Sequence, residues 1–347
     1  MTLEEFLEEW NNDSEQVMVH TSGSTGKPKP MWVEKRRMEA SARITCDFLG
    51  LKEGDTALLC MSLDYIAGKM MVVRSLVRNL KLIVVEPTGN PLANVAVSKI
   101  DFAAMVPMQV YNSLQVPQER ERLKQIKHLI IGGGAIDEAM ASELKDFPNY
   151  VWSTYGMTET LSHIALRRLN GPEASEWYKP FPSVEISQND DGCLVIDAPQ
   201  VCSERLVTND IVEISEAGFR IIGRKDNVIC SGGIKIQAEE VERILKPYVH
   251  NPFLITKRKD QKFGEIVVMM VEDRGKATGR RAELGNERKE EREERESLKT
   301  RLQSLCREHL PKYWQPRDFV FVEKLPMTET GKPARKQAEE LATQNYS

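Results

Sequence analysis

The sequence has little of what marks several common classes of protein. Its six cysteines are scattered over 347 residues, with no Cys-x-x-Cys pair and no group of cysteine and histidine at zinc spacing. This pattern excludes the usual structural zinc motifs and predicts reduced cysteines that serve as packing residues. The 48 lysines and arginines are balanced by 52 acidic residues, so no basic face for nucleic acid is indicated. Small molecules are therefore the expected partners, and the composition also allows a homo-oligomer.

A hydrophobic run long enough to cross a membrane is also missing. The most apolar stretch, residues 66–85, is interrupted by four lysines and arginines, which are too many charges for a membrane span. The first six residues, Met-Thr-Leu-Glu-Glu-Phe, are acidic rather than basic and do not fit a secretion signal. We therefore expect a cytoplasmic protein that does not insert into membranes.

Near the start of the chain lies a loop rich in hydroxyl groups and glycine, which follows the apolar segment 17–19. Its glycines let backbone N–H groups converge on an anion, its hydroxyls add donors and its lysine adds charge. The spacing differs from a Walker A loop, which has four residues between its glycines where this loop has two. Alone, the same composition also fits a flexible surface linker. The candidate phosphate-binding residues are Thr21, Ser22, Gly23, Ser24, Thr25, Gly26 and Lys27.

Apolar strand patterns alternate with helical ones through the first half of the chain. This alternation predicts an α/β fold with a mostly parallel sheet, whose ligands bind at the carboxyl ends of the strands. A helix is predicted from Ile66, with Gly68 permitting a close approach of another segment. Strand patterns after residue 190 predict a β-rich subdomain. The first-half strands are predicted at 56–61, 82–85, 102–106 and 127–131.

Two turns follow predicted strands and carry chemistry. A run of three glycines at 132–134 leaves flat space directly after the strand at 127–131. The turn that begins at Tyr155 offers a ring for base stacking, the Thr158 hydroxyl for a phosphate and the Glu159 carboxylate for Mg²⁺. Each turn alone is equally compatible with an ordinary structural turn.

Taken together and in this order, the motifs resemble those of the adenylate-forming superfamily of acyl-CoA synthetases, luciferases and peptide-synthetase adenylation domains. Two further motifs complete the resemblance, Gly-Arg-Lys-Asp at 223–226 and Thr-Gly-Lys at 330–332. The similarity extends from Val17 to Lys336. It implies ATP, Mg²⁺ and coenzyme A as substrates and cofactors, with a small-molecule carboxylic acid as the other substrate.

The resemblance also implies roles for individual residues. Lys332, Thr158 and Glu159 are the expected catalytic group, and Glu159 is also the metal ligand. Besides the loop at 21–27, the residues expected to bind ATP or AMP are Gly133, Gly134, Ala135, Tyr155, Gly156, Asp210 and Arg224. Those expected to bind coenzyme A are Gly232, Gly233 and Lys235. The family usually has glycine where this sequence has Asn209, a residue that tolerates a left-handed backbone better than most.

The same resemblance predicts how the chain is divided. Residues 1–223 are expected to form a large adenylate-forming domain, shortened at its N-terminus relative to fuller members. Residues 224–226 are expected to form a hinge centred on Asp226, and residues 227–347 a small mobile α+β domain. Rotation at the hinge would withdraw Lys332 after the acid is adenylated and bring the glycine loop at 231–236 to the site for thioester formation.

A narrower resemblance suggests the acid. Residues 65–74 are similar to a helix of the o-succinylbenzoate–CoA ligases of menaquinone synthesis, which implies conversion of 2-succinylbenzoate to 2-succinylbenzoyl-CoA. The second carboxylate of this acid needs a cation or hydrogen-bond donors, and the candidates for the acyl site are Lys69, Gln109 and His163. The alternatives are another acyl- or aryl-CoA synthetase, an adenylation enzyme that loads a carrier protein, and a catalytically silent nucleotide-binding relative.

Overall fold

The structure is a computed structural model. It describes residues 1–20, 30–95, 99–134, 136, 138–273, 287–328 and 333–344. Within these ranges no helix has the length and apolar character needed to cross a membrane. The chain divides into two compact units. The first comprises Met1–Asp190, Leu194–Thr208 and Ile214–Arg220, and the second comprises Asp191–Cys193, Asn209–Glu213 and Ile221–Ser347.

The helices and strands alternate in the first half, as the sequence pattern predicts. The helices are α1 (Leu3–Asn11), α2 (Lys35–Leu49), α3 (Ile66–Arg78), α4 (Pro107–Gln115), α5 (Pro117–Gln125), α6 (Glu138–Leu144), α7 (Ala238–Leu245), α8 (Glu287–His309) and α9 (Arg335–Gln344). The strands are β1 (Gln16–His20), β2 (Pro30–Glu34), β3 (Thr56–Leu59), β4 (Lys81–Val84), β5 (Ile100–Met105), β6 (Ile126–Ile131), β7 (Tyr150–Gly156), β8 (His163–Arg168), β9 (Lys179–Pro180), β10 (Glu185–Gln188), β11 (Cys193–Asp197), β12 (Leu206–Ser215), β13 (Gly218–Arg224), β14 (Val228–Ser231), β15 (Ile234–Gln237), β16 (Phe253–Asp260), β17 (Gly264–Glu272) and β18 (Asp318–Val322).

The main sheet of the first unit has the strand order β4-β3-β5-β6-β7-β8-β9. Strands β4 to β7 pair in parallel, whereas β8 and β9 are antiparallel. Every residue of β5 is buried, as expected for a parallel strand covered on both faces. The carboxyl ends of β3, β5, β6 and β7 therefore share one edge of the sheet, and this arrangement confirms the predicted α/β fold.

A separate antiparallel ribbon is formed by β1 and β2, with Gln16 opposite Glu34 and His20 opposite Pro30. The chain between these strands contains the hydroxyl-rich loop. On the inner face of β1, the side chains of Val17 and Val19 are fully buried. The ribbon thus anchors both ends of the loop segment.

A four-stranded sheet follows in the order β10-β11-β12-β13, in the region where the sequence predicts a β-rich subdomain. The sheet of the second unit has the order β15-β14-β17-β16, and β18 joins β17 in parallel. The side chains of strand β17 alternate between the two faces of the sheet, and helices cover both faces. Val267, Met269 and Val271 pack with residues of α7 and α8, whereas Val268 and Met270 pack with residues of α9.

Candidate active site

Gln109, in the first turn of α4, forms hydrogen bonds with three segments at the carboxyl edge of the main sheet. Its amide nitrogen donates to the carbonyl oxygens of Cys60 at 2.9 Å and Thr88 at 3.0 Å. Its amide oxygen accepts from the Val106 N–H at 3.2 Å. These three partners follow β3, β4 and β5. Both donors and the acceptor of this buried amide are therefore engaged within the protein, so its place in the acyl site stays a prediction.

The turn after β7 brings three of the predicted nucleotide-site residues together. Tyr155 is 7% exposed, and its ring packs edge-on against Phe219 with a centroid distance of 5.0 Å. Thr158 is buried and opens a single 3-10 turn, while the Glu159 side chain is exposed. In the described parts of the chain no ion pair involves Glu159. Its carboxylate is therefore available to an incoming cation.

Gly156 is required where it stands. A Cβ at this position would lie 2.3 Å from the Ser162 carbonyl oxygen and 2.5 Å from the Cα of His163. Backbone atoms cannot move aside as the end of a flexible side chain can. The absence of a side chain thus lets β7 approach Ser162 and His163, at the start of β8.

A chain of buried polar groups begins beside this turn. Arg74 of α3 donates through Nη2 to the Ser162 hydroxyl, which lies 3.2 Å from His163 Nδ1. His163 Nε2 lies 3.1 Å from the Thr45 hydroxyl, and that hydroxyl donates its only proton to the Ser41 carbonyl oxygen at 3.1 Å. Elements α2, α3 and β8 therefore contribute side chains to one network.

The hydrogen bonds of this network set the tautomer of His163. Since the Thr45 proton is used, Thr45 must accept from His163 Nε2–H. The Ser162 oxygen already accepts from Arg74, so its own proton is donated to Nδ1. The imidazole is therefore neutral. Burial, reinforced by the positive charge of Arg74, lowers the pKa of His163 well below its ordinary value, in agreement with this assignment.

Arg74 is a buried cation without a carboxylate partner among the residues that the structure describes. Its side chain is 2% exposed, and its Nε has no hydrogen-bond partner. Burial lowers the pKa of the guanidinium to about 10, so it stays charged at neutral pH. A buried charge that lacks a counter-ion is unfavourable, and an anionic ligand would relieve it. Arg74 was not among the site residues predicted from the sequence, although an arginine directly after the apolar run 70–73 was the available signal.

The charge of Lys69, the lysine proposed from sequence, is already paired. Its Nζ lies 3.1 Å from Glu9 Oε2 and 2.7 Å from the Met18 carbonyl oxygen, and it lies over the Phe6 ring at 5.3 Å. The side chain is 3% exposed. The structure therefore places Lys69 between α1 and β1 rather than in an open cavity.

His163 faces a small pocket in the first unit. Polar groups from three other residues also line this pocket, namely Ser41, Ser183 and Gln200. Gly133 and Gly134 follow β6 at the same sheet edge as the turn after β7, and Gly133 has a φ of +79°. The other nucleotide-site predictions of this region, Thr21, Ser22, Gly23, Ser24, Thr25, Gly26, Lys27 and Ala135, lie outside the described residues, as does Lys332.

In the second unit, the residues Asp210 and Arg224, predicted to bind the nucleotide, form one charged cluster with the predicted hinge residue Asp226. Arg224 lies 3.1 Å from Asp210 Oδ1 through Nη1 and 3.2 Å from Asp226 Oδ2 through Nη2. Asn209 also donates to Asp226 at 3.3 Å. Arg224 ends β13, and Asp226 is the middle residue of a 3-10 turn. Side chains predicted from separate motifs thus contact one another directly.

The predicted coenzyme A loop is a tight hairpin. Ser231 pairs with Ile234, so Gly232 and Gly233 alone connect β14 to β15. Their φ values of +58° and +83° are those of a type I′ turn, which favours glycine at both positions. Lys235, in β15, is exposed. The loop therefore presents two glycines and one lysine to solvent.

Comparison with known proteins adds two sequence families. The model of the AMP-binding enzyme family matches residues 4–199 of this chain. The model of the AMP-binding enzyme C-terminal domain matches residues 257–332. Among curated proteins, the chain is 25% identical over 362 residues to a 2-succinylbenzoate–CoA ligase of Listeria monocytogenes. That alignment covers 97% of this chain and 72% of the Listeria protein.

Solved structures show the same likeness. An acyl-CoA synthetase (AMP-forming)/AMP-acid ligase II-like protein from Dyadobacter fermentans is 35% identical, with a TM-score of 0.63, over 96% of this chain and 92% of that one. The O-succinylbenzoate coenzyme A synthetase of Bacillus subtilis, solved with ATP and magnesium ion, is 22% identical with a TM-score of 0.69. That alignment covers 92% of this chain and 69% of the Bacillus chain, and at this identity it supports the fold alone.

Proposed function

This chain belongs to the AMP-binding enzyme family, and on that premise we propose that it is an ATP-dependent acid–CoA ligase that acts on 2-succinylbenzoate. The observation that carries the choice of acid is Arg74, a buried guanidinium without a carboxylate partner in the described residues. It bonds to Ser162, beside the turn that holds Tyr155 and Thr158. The 2-succinylbenzoate–CoA ligases among the curated relatives support the same substrate.

In the first half-reaction, a carboxylate oxygen of the acid attacks the α-phosphorus of ATP. The bond from phosphorus to the leaving pyrophosphate breaks, and an acyl adenylate forms. Because both reactants are anions, the protein must supply positive charge and hydrogen-bond donors at the reacting phosphate. We assign these roles to the loop at 21–27, to the Thr158 hydroxyl and to Lys332, with Tyr155 and Gly156 beside the adenine.

A magnesium ion fits the same turn. The Glu159 carboxylate is exposed and has no ion-pair partner among the described residues, and Mg²⁺ in nucleotide sites is commonly held by one or two carboxylates together with substrate phosphates. A dedicated cluster of protein ligands is therefore not required. When bound, the ion would neutralise phosphate charge.

The acid has two carboxylates, and only one of them is activated. We assign the other to Arg74, because a guanidinium offers paired donors to a carboxylate and a charge-assisted hydrogen bond contributes about 1.5–3 kcal/mol. Lys69 is already paired with Glu9, so it is the weaker candidate for binding this second carboxylate. His163 is neutral and lines the adjacent pocket, where its ring would contact the uncharged part of the acid.

In the second half-reaction, the sulfur of coenzyme A attacks the carbonyl carbon of the acyl adenylate. The bond from that carbon to the AMP oxygen breaks, the thiol loses its proton, and AMP leaves. We propose that rotation at Asp226 brings the hairpin of Gly232 and Gly233 to the site, with Lys235 beside the entering cofactor. The glycines of this exposed turn leave room for a narrow chain.

The test is pyrophosphate release from MgATP and coenzyme A with 2-succinylbenzoate, with benzoate, with a medium-chain fatty acid and without acid. We expect at least tenfold higher kcat/KM with 2-succinylbenzoate and its CoA thioester as product. Comparable turnover with benzoate would retain the ligase and reject the substrate. Adenylation without thioester would favour carrier loading, and no ATP–pyrophosphate exchange with any acid would identify a silent relative.

A further inference from the structure

A set of polar contacts at the start of α9 serves no step of the proposed reaction. Arg335 is the first residue of this helix. Its guanidinium pairs with both carboxylate oxygens of Glu242 in α7, at 3.0 and 2.8 Å, and donates to the Ile255 carbonyl oxygen at 2.9 Å. Glu242 also accepts from the Ile255 N–H at 2.7 Å. Arg335 is therefore fixed to a helix and to a strand of the second unit.

Backbone contacts join the two ends of the segment before α9. Met327 and Pro333 form an antiparallel bridge, and the Ala334 N–H donates to the Pro326 carbonyl oxygen at 2.9 Å. The chain between the bridge partners contains Lys332. Arg335 directly follows Ala334, so this closure joins both ends of the lysine segment to the first residue of α9.

A second carboxylate, Glu239, joins Arg335 to the predicted hinge. Its Oε1 lies 3.7 Å from Arg335 Nε and accepts from the side-chain amide of Asn227. Its other oxygen accepts from the side-chain amide of Gln237. That same amide donates to the Arg224 carbonyl oxygen at 2.9 Å. Side chains of α7 and β15 thus connect the backbone of the hinge to the base of the lysine segment.

The two carboxylates on Arg335 are not equivalent. The pair with Glu242 is bidentate and short, which is the strongest geometry for these groups. The approach of Glu239 at 3.7 Å is a longer contact, and this carboxylate is shared with two amides. A change in the backbone at 224–227 would displace Glu239 through those amides while leaving the Glu242 pair intact.

We propose that Arg335 is a positioning residue for Lys332 in the adenylation half-reaction, and that Glu239 makes this position depend on the hinge. The inference rests on the proposed ligase function, because it assigns Lys332 to adenylation. It adds a defined path of contacts, within one unit, from the hinge to the first residue of α9, three residues after the lysine.

The test separates the half-reactions. Adenylation is measured as ATP–pyrophosphate exchange, and thioester formation is measured from preformed acyl adenylate and coenzyme A. We expect Arg335→Lys to lower kcat for adenylation about tenfold with unchanged KM for ATP and with thioester formation within twofold of wild type. Glu239→Gln should act in the same direction, and the double variant should lose no more than Arg335→Lys alone, because interacting residues are not additive.

Arg258 provides the matched control. It pairs with Asp318 at 2.7 Å and donates to the Ala342 carbonyl oxygen at 3.4 Å, so it holds the other end of α9. Arg258→Lys should leave the ratio of the half-reactions unchanged. Equal loss of both half-reactions in Arg335→Lys, or additive losses in the double variant, would overturn the proposal.

A readout without catalysis keeps the inference separable from the proposed function. In amide hydrogen exchange, Glu239→Gln should increase exchange both at 224–228 and at 326–334, whereas Arg258→Lys should increase it at neither segment. An increase confined to one segment would refute the connection even if the ligase activity is established. Wild-type protein inactive in both half-reactions would reject the ligase instead.

Discussion

Lys69 and Glu9 form a partly buried ion pair, and both side chains bond to one residue of a neighbouring strand. Lys69 Nζ lies 3.1 Å from Glu9 Oε2 and 2.7 Å from the Met18 carbonyl oxygen, while Glu9 Oε1 accepts from the Met18 N–H at 3.2 Å. Met18 faces Trp32 across the ribbon. The pair therefore supplies, on the free edge of β1, the donor and the acceptor that another strand would otherwise provide.

Removing this lysine should loosen the entry to the hydroxyl-rich loop. In Lys69→Met, Glu9 and the Met18 carbonyl lose their cation, and we expect a loss of about 2–3 kcal/mol in the free energy of unfolding, less than for a fully buried pair because Glu9 is partly exposed. Urea denaturation measures it. Arg78→Met, which breaks an exposed pair of the same helix with Asp47, should change stability by under about 1 kcal/mol.

Replacement of Arg74 should discriminate between acids. In Arg74→Met, the second carboxylate of 2-succinylbenzoate would lose its partner, so we expect KM for this acid to rise about 10- to 100-fold, from the strength of charge-assisted hydrogen bonds. Steady-state kinetics with benzoate, which has one carboxylate, should show less than a threefold change. Parallel losses with both acids would assign Arg74 to structure instead.

Gly156 should not tolerate a methyl group. Gly156→Ala would place its Cβ 2.3 Å from the Ser162 carbonyl oxygen, and the strands must shift to relieve the overlap, so we expect a loss of about 3 kcal/mol. Gly134→Ala is the control, because its Cβ would make ordinary contacts with the Pro107 ring, at 3.4 Å from Cγ and 3.7 Å from Cδ. Thermal unfolding should separate the variants. Equal melting temperatures would show that the strands can separate freely.

Two histidines should make the fold sensitive to mild acid. Burial lowers the pKa of His128 from 6.5 to about 4, and burial together with the charge of Arg74 also lowers the pKa of His163 well below its ordinary value. The unfolded chain then binds more protons than the folded one below about pH 6.5, so stability is greatest above that pH and falls as pH drops towards 4. Each histidine lowers the free energy of unfolding by up to about 1.4 kcal/mol for each pH unit of this fall.

The measurement is urea denaturation between pH 7.5 and 4. His128→Phe retains a ring against Tyr150, with which His128 stacks at 5.0 Å, and it removes the titrating group. Its stability should therefore depend less steeply on pH than that of the wild type. An unchanged slope would show that His128 titrates alike in the folded and unfolded states.

Local signals in the sequence predicted several features correctly. The mostly parallel sheet follows from apolar strands that alternate with helices, and Gly68 does permit a close approach, since a Cβ there would lie 2.3 Å from the Ser62 carbonyl oxygen. A Gly-Gly pair is typical of a tight hairpin turn, and Gly232 and Gly233 form one. These features depend on neighbouring residues and on backbone conformation, which a sequence pattern encodes.

The partners of buried charged side chains could not be predicted from local sequence patterns. Lys69 and Arg74 lie on the same helix and look alike in a hydropathy pattern, yet one meets a carboxylate 60 residues away and the other meets the Ser162 hydroxyl, 88 residues away. Periodicity identifies which face of a helix is buried, but tertiary packing decides which charge is neutralised. Lys69 was predicted for the acyl site from its residue type alone, and that assignment stays a prediction.

Gln109 limits how this protein could be redesigned. Because one amide bonds to the segments after β3, β4 and β5, a loop of different length grafted at one of these positions would pull on the other two. A library that varies the three loops independently would therefore yield mostly misfolded members. Exchanging the three segments as a single block, with the glutamine retained, would keep all three hydrogen bonds.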